Sequence, residues 1–234
     1  MIDRRMLVNF RCDPQALARV LPQPFRPKLM NGFGMAGICL IRLRDVRPAG
    51  IPAIFGLGSE NAAHRIAVEW NDGGQTREGV FIPRRDTNSS LNRLAGGRMF
   101  PGVHHPAEFQ VRETDNKFEL EMRGTDGEFV HVQARVATEF PRGSIFDSME
   151  KASAFFEAGG LGWSPVRNGC EFEGLELFCP EWRMEPLQVE CVKSSFFGNR
   201  DLFPPGAAEF DSAFLMRDIA HEWRSRGKMI SEKS

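Results

Sequence analysis

Apolar and polar positions alternate with a period of two through the middle of the chain. Phe109 and Val111 form a first run, Phe118, Leu120 and Met122 a second, and Val130, Val132, Ala134 and Val136 a third. Asp115-Asn116 and Asp126-Gly127 separate them. This spacing puts all the apolar side chains of a run on one face, so it predicts an antiparallel meander with one buried side. A strand is likewise predicted over Arg4 to Arg11, and a buried one over the apolar stretch Gly32 to Leu43. Asn61 to Trp70 and Arg77 to Pro83 flank Asn71-Asp72-Gly73-Gly74, a strong hairpin signal. Pro48 to Gly58 reads as a loop, and further strands are expected over Cys170 to Phe178, Arg183 to Phe197 and Phe214 to Ile219.

Helical spacing is rarer. Asp13-Pro14 supplies a cap and a first-turn proline before Leu17, Val20 and Leu21, and Pro22 ends the segment. Asp86 to Leu94 reads as a short helix capped by Asp86 and closed by Gly96-Gly97. Ser144 to Ala158 carries an amphipathic pattern, with Ser144 as cap and Asp147 at the capping-box position. Its apolar face is Ile145, Met149, Ala152 and Phe156, and Gly159-Gly160 stops it. Strands dominate and the helices are scattered. The expected fold class is therefore mainly β (α+β), an antiparallel barrel-like sheet that hides its edges, with a few peripheral helices.

Composition narrows the function classes. With 234 residues, 41% of them hydrophobic, and no repeat or low-complexity linker, one domain over residues 1–234 is expected. A net charge of −1 gives no electrostatic reason to bind nucleic acid or an anionic membrane. No apolar run reaches the roughly 20 residues that span a bilayer. Met1 to Met6 lacks the apolar stretch of a signal peptide, so a cytoplasmic protein is expected. Cys12, Cys39, Cys170, Cys179 and Cys191 are odd in number and widely spaced, the pattern of free thiols in a reducing compartment. The absence of tyrosine removes that residue as a catalytic acid or nucleophile.

The candidate chemistry is sparse. His104 and His105 are adjacent, so on a strand they point to opposite faces and would not share a metal ion. With no accompanying ligand cluster, neither a metal nor a cofactor is expected, and one of the two histidines is the candidate acid, base or hydrogen-bond donor. His64, His131 and His221 read as structural or solvated. Ser194-Ser195 does not make a nucleophile elbow, and the glycine-rich stretches lack the context of a phosphate loop. Arg65, Arg84, Arg85 and Arg98 lie in or between segments expected to be partly buried. Each must pair with a carboxylate such as Glu60, Glu69 or Asp86, or meet an anionic ligand.

From Ser59 to Phe109 these features occur in a recognisable order. Ser59-Glu60-Asn61 leads into a strand with Arg65, followed by Gly79-Val80-Phe81-Ile82, Asp86-Thr87-Asn88-Ser89 and Gly97-Arg98-Met99-Phe100-Pro101. This order resembles the acetoacetate decarboxylase-like superfamily, and within it the DUF2071 branch of YqjF-like proteins. Leu7-Val8-Asn9-Phe10-Arg11, Asp13-Pro14 and Asp211-Ser212-Ala213-Phe214 extend the likeness over most of the chain. The resemblance implies a barrel-like fold around a small apolar pocket, commonly in a homo-oligomer, and a small organic anion or carbonyl compound as ligand. It places Glu60 near the family's active-site glutamate and Arg98 at its motif arginine. With Arg65, His104 and His105, these make the candidate ligand-binding set.

The decarboxylases use a Schiff-base lysine after Phe-Pro, next to a second lysine whose charge depresses its pKa. Here Phe100-Pro101 is followed by Gly102-Val103-His104-His105, and no lysine lies between Lys28 and Lys117. A Schiff-base decarboxylase is therefore not expected. Two classes remain: a binding protein that keeps the pocket, or a lysine-independent lyase or hydrolase using His104 or His105 as acid/base.

Overall fold

The computed structural model describes residues 1–46, 57–90, 101–167 and 171–230. The longer strands are β1 (Ile2–Cys12), β4 (Phe33–Val46), β5 (Leu57–Asp72), β6 (Gln75–Thr87), β7 (His104–Glu113), β8 (Lys117–Gly124) and β9 (Phe129–Val136); β8 and β9 bury alternate residues, while β1 is buried on both faces. Short strands β2 (Arg26–Pro27) and β3 (Leu29–Met30) precede β4. Beyond the meander come β10 (Leu161–Pro165), β11 (Glu171–Phe178), β12 (Glu185–Ser194), β13 (Ala208–Ile219) and β14 (Glu222–Ile230). All belong to one 14-stranded sheet in the order β14-β11-β10-β6-β7-β8-β9-β12-β13-β1-β4-β5-β2, with β3 paired to β4. Because β6 also pairs with β5, the hydrogen bonds from β6 round to β5 close into a ring.

Strand β6 is the branch point. Its Val80 and Phe81 pair with β10, while Arg85, Asp86 and Thr87 pair with β7. Both pairings are parallel, so the sheet is mixed rather than purely antiparallel. On the other side of β6, the register with β5 slips between His64 and Ile66, which oppose Arg84 and Phe81. This bulge gives Pro83, which has no N–H to donate, a place inside a strand. It also sets Arg65 opposite the slip.

The two faces of the ring wall bury separate clusters. Met6, Val8, Ile38, Leu40, Ile66, Leu120, Met122, Val130, Val132 and Leu215 pack together on the inner side. Leu7, Met35, Cys39, Phe214 and Met216 alternate with them and face outward, where Phe146, Phe155 and Phe156 cover them. Three helices are described: α1 (Pro14–Val20), α2 (Met149–Ala158) and the single turn α3 (Ser195–Gly198). Asp13 caps α1 by accepting from the Ala16 amide at 2.8 Å.

Two helix expectations need correction. Asp86 does not start the helix expected there: it lies fully buried within β6, bound to Arg84, the helical conformation begins at Ser90, and residues 91–100 fall outside the described set. Helix α2 begins at Met149 rather than near Ser144, and Ser148 caps it. The Ser144 hydroxyl instead donates to Asp211 at 2.7 Å, and the same carboxylate accepts from the Ile145 amide at 2.8 Å. Those bonds hold residues 144–146 out of the helix.

Candidate functional site

The outer face of the ring wall carries a row of residues in register across five strands. Leu7 of β1 faces Cys39 of β4, Cys39 faces Ala63 of β5, Ala63 faces Arg85 of β6, and Arg85 faces His104 of β7. In-register partners share a side of the sheet, so Cys39, Arg85 and His104 emerge together. With Asn61 and Trp223 they line a cavity of about 40 Å³. His105, one residue on, takes the opposite face, where its Nδ1 lies 3.5 Å from Asp126. The sequence left open which histidine would face a pocket; pleating places His104 there.

Arg85 donates to the Ser164 hydroxyl at 3.2 Å. Among the described residues no carboxylate lies within ion-pair reach of its guanidinium, and burial lowers its pKa to about 10. His104 is pushed down to about 4, first by burial and then by the neighbouring Arg85 charge. At neutral pH the cavity therefore holds the Arg85 cation beside a neutral imidazole, and Asp86, which also borders it, has its carboxylate engaged by Arg84. Gly102 has a positive φ of 90°, and a Cβ there would come within 2.7 Å of Ser164. The chain can enter β7 this close to β10 only because position 102 has no side chain.

Two further arginines occupy the same outer face. Arg5 donates through Nε to the Cys39 sulfur at 3.2 Å and lies over the Trp182 ring at 5.2 Å. Arg65 donates to Asn9 Oδ1 at 2.6 Å and lies 5.0 Å over the Phe156 ring. Its pKa falls to about 10 through burial, opposed by Cys39 and reinforced by the Arg5 charge. Neither has a carboxylate partner among the described residues, so of the two alternatives left open for Arg65 the pairing with Glu60, Glu69 or Asp86 is not observed. Arg65 and His104 do not share a cavity. Arg65 lines a smaller one, about 10 Å³, between the wall and α2.

Glu60 lies elsewhere. Its carboxylate accepts from Arg4 and Arg42, each at 2.6 Å, and both arginines also bind Glu113. Burial acts to raise the Glu113 carboxyl, but the bonds and charges of Arg4 and Arg42 outweigh it and hold it below its ordinary value. This network is matched within the protein. Arg98 lies outside the described residues.

A second polar group sits where β6 meets the β8–β9 turn. Arg84 binds Asp86 at 2.7 Å and grips Asp126 with two bonds of 2.8 Å, the carboxylate pairing anticipated for it. Arg84 holds the Asp126 carboxyl well below the carboxylate range. His64 is fully buried beside them. Its ring centroid lies 4.7 Å from that of Phe196, tilted by 38°, and its Nε2 is 3.5 Å from Glu128. Glu128 already accepts from the Ser195 hydroxyl at 2.6 Å. Burial, then the Arg84 charge, lowers His64 to about 3, so it is neutral. Its burial settles the earlier alternative between a structural and a solvated side chain.

Arg5, Cys39, Ser164 and Trp223 escaped the sequence reading as site residues. An arginine and a cysteine among apolar strand positions were the available signal, but only the lateral register unites them.

The model of the DUF2071 family, described as an uncharacterized conserved protein, matches residues 2–161. The chain belongs to the DUF2071 family. No curated protein matches this DUF2071 chain. Among solved structures it is similar to an acetoacetate decarboxylase-like enzyme from Sphingomonas wittichii RW1, with TM-score 0.59 and 14% identity over 97% of this chain and 91% of that one. The enduracididine biosynthesis enzyme MppR complexed with pyruvate gives TM-score 0.58 and 10% identity over 97% and 87%. Acetoacetate decarboxylase from Legionella pneumophila subsp. pneumophila str. Philadelphia 1 gives 0.53 and 14% over 96% and 86%. At these identities the likeness establishes a shared acetoacetate decarboxylase-like fold. No helix among the described residues is long and apolar enough to cross a membrane.

Proposed function

We propose that this DUF2071 protein binds a small organic acid or carbonyl-bearing anion in the cavity lined by Cys39, Asn61, Arg85, His104 and Trp223. The observation that carries the reading is the Arg85 guanidinium, which lines the cavity with no carboxylate in ion-pair reach among the described residues; Asp86, which also borders the cavity, has its carboxylate bound by Arg84. A cation removed from water is costly unless paired, and a planar guanidinium is best matched by a carboxylate, which accepts two parallel hydrogen bonds. Neutral His104 next to it suits a carbonyl or hydroxyl oxygen. A volume of about 40 Å³ accommodates about three or four water-sized particles, roughly the bulk of a three-carbon acid. The pyruvate held by MppR is an acid of this size.

Schiff-base chemistry is not part of the proposal. Gly102-Val103 follow Phe100-Pro101, and residues 29–116 contain no lysine. The alternative reading, a lysine-independent lyase or hydrolase, rests on His104. A neutral imidazole can accept a proton at physiological pH, so His104 would be the base and Arg85 would hold the carboxylate. His105 and Glu60 have no part in either reading, since one faces Asp126 and the other is saturated by Arg4 and Arg42. Assembly into a homo-oligomer is carried over from the family likeness, and a cytoplasmic location from the widely spaced, odd-numbered cysteines; light scattering on the purified chain tests the assembly.

Thermal-shift screening against short mono- and dicarboxylates, followed by calorimetry, tests the binding site. A hydrogen bond to a charged group contributes about 1.5–3 kcal/mol, so Arg85→Met should weaken the best ligand about tenfold to a hundredfold. The unliganded variant should melt no lower than wild type. A variant that binds as tightly as wild type, or a wild type that no acid stabilises, overturns the reading.

A further inference from the structure

We propose that Cys191 is a reactive thiol, activated by His131, that forms a mixed disulfide with a low-molecular-weight disulfide from solution. The site lies on the solvent side of β8, β9 and β12 and shares no residue with the Arg85–His104 cavity. A bulge creates it. Strand β12 pairs Val189 with Ala134 and then Cys191 with Gln133, so Glu190 is the extra residue. Strict alternation would send Cys191 to the side of Val189, which packs against the inner core cluster. After the bulge Val192 takes that side instead, and Cys191 and Lys193 turn outward beside Gln133 and His131.

His131 Nδ1 is 3.9 Å from the Cys191 sulfur, and its Nε2 is 3.8 Å from Glu119 Oε1. Gln133 steadies that carboxylate by donating to Oε1 at 3.2 Å. The imidazole tautomer with its proton on Nε2, facing Glu119, leaves the Nδ1 lone pair for the thiol proton. Nucleophile, base and orienting carboxylate thus follow one another across three strands. Both separations exceed a formed hydrogen bond, and they shorten once an imidazolium stands between two anions. The other charges on this face are Glu121, bound by Arg123, Arg135, 3.7 Å from Glu190, and Lys193, whose positive charge favours a thiolate. Cys191 is partly exposed, whereas Cys12 and Cys39 are buried. Burial also pushes the Cys12 thiol up to about 12 and raises that of Cys179. In the reaction, His131 takes the thiol proton and the Cys191 thiolate attacks one sulfur of the reagent, whose S–S bond breaks as the new one forms. The leaving thiolate collects the proton from His131 and departs as a thiol, so Cys191 is oxidised and half of the reagent is reduced.

The test mixes the full chain with dithiodipyridine, an uncharged disulfide, and follows thiopyridone release together with peptide mapping. One thiol should react ahead of the rest and map to Cys191, and Cys191→Ser should remove that phase. His131→Gln should slow it about tenfold near pH 7 and leave it unchanged near pH 9.5, where a thiol of ordinary pKa ionises without a base. A fastest thiol that maps to another cysteine, Cys170 included, overturns the proposal in wild type, with no variant needed. A His131→Gln rate equal to wild type near pH 7 also overturns it, as does a fall of the same size at both pH values, which would make His131 merely structural.

Discussion

Acid should destabilise this protein through His64 in a way that one substitution removes. The imidazole is fully buried against Phe196, and neither ring nitrogen makes a hydrogen bond among the described residues. Glu128 stands 3.5 Å away, yet the desolvation penalty and the Arg84 charge prevail and lower the pKa from 6.5 to about 3. A histidine with a depressed folded-state pKa contributes its full stability above the unfolded value. It loses that contribution as pH falls from about 6.5 toward 3, because the unfolded chain takes up the proton first. At about 1.4 kcal/mol per unit, the drop from 6.5 to about 3 amounts to roughly 4–5 kcal/mol at the acid limit. By pH 4.5 it should be roughly 2–3 kcal/mol.

The perturbation is His64→Leu, which keeps an apolar side chain of similar bulk and cannot protonate. Urea unfolding of both proteins at pH 7.5, 6, 5 and 4.5 isolates the residue, because every other titrating group is common to the pair. The stability difference should be flat above pH 7. Below about pH 6, wild type should lose about 1.4 kcal/mol per pH unit relative to the variant. Parallel curves, or a His64 pKa above 6 measured by NMR in the folded protein, would refute the assignment of a neutral, desolvated ring.

Two other outcomes are expected. Arg4→Met should lower stability by about 3–5 kcal/mol, a fall in Tm of roughly 6–20 °C, because Glu60 and Glu113 lose a partner that is 3% exposed; an unchanged melt would mean these carboxylates are hydrated. Incubation with pyruvate and borohydride should leave the intact mass unchanged, and an adduct mapping to Lys28, which lines the same cavity as Arg65, would restore Schiff-base chemistry.

What could be read from the chain alone was local. Alternation through Phe109 to Val136 determined β7, β8 and β9, since side-chain direction follows directly from a two-residue period. The Asn71 to Gly74 turn determined the β5–β6 hairpin, where Gly73 and Gly74 adopt positive φ. The absent lysine was visible before any fold. Strand β14 was not, because Trp223 is separated from Met229 and Ile230 by five polar or glycine residues, which leaves no apolar period to mark a strand, and its order comes from pairing with β11. Helix limits shifted for a similar reason: Ser144 can cap a helix, but Asp211, 67 residues away in sequence, bonds it first.

Tertiary structure alone decided which residues share a cavity. The sequence nominated Arg65 together with His104, and the fold separates them into two cavities while setting Arg85 beside His104. That outcome depends on lateral register, on the bulge opposite Arg65 and on the split of β6 between β7 and β10. Each of these arises from how distant strands share one sheet, and no period or spacing within a single segment encodes it.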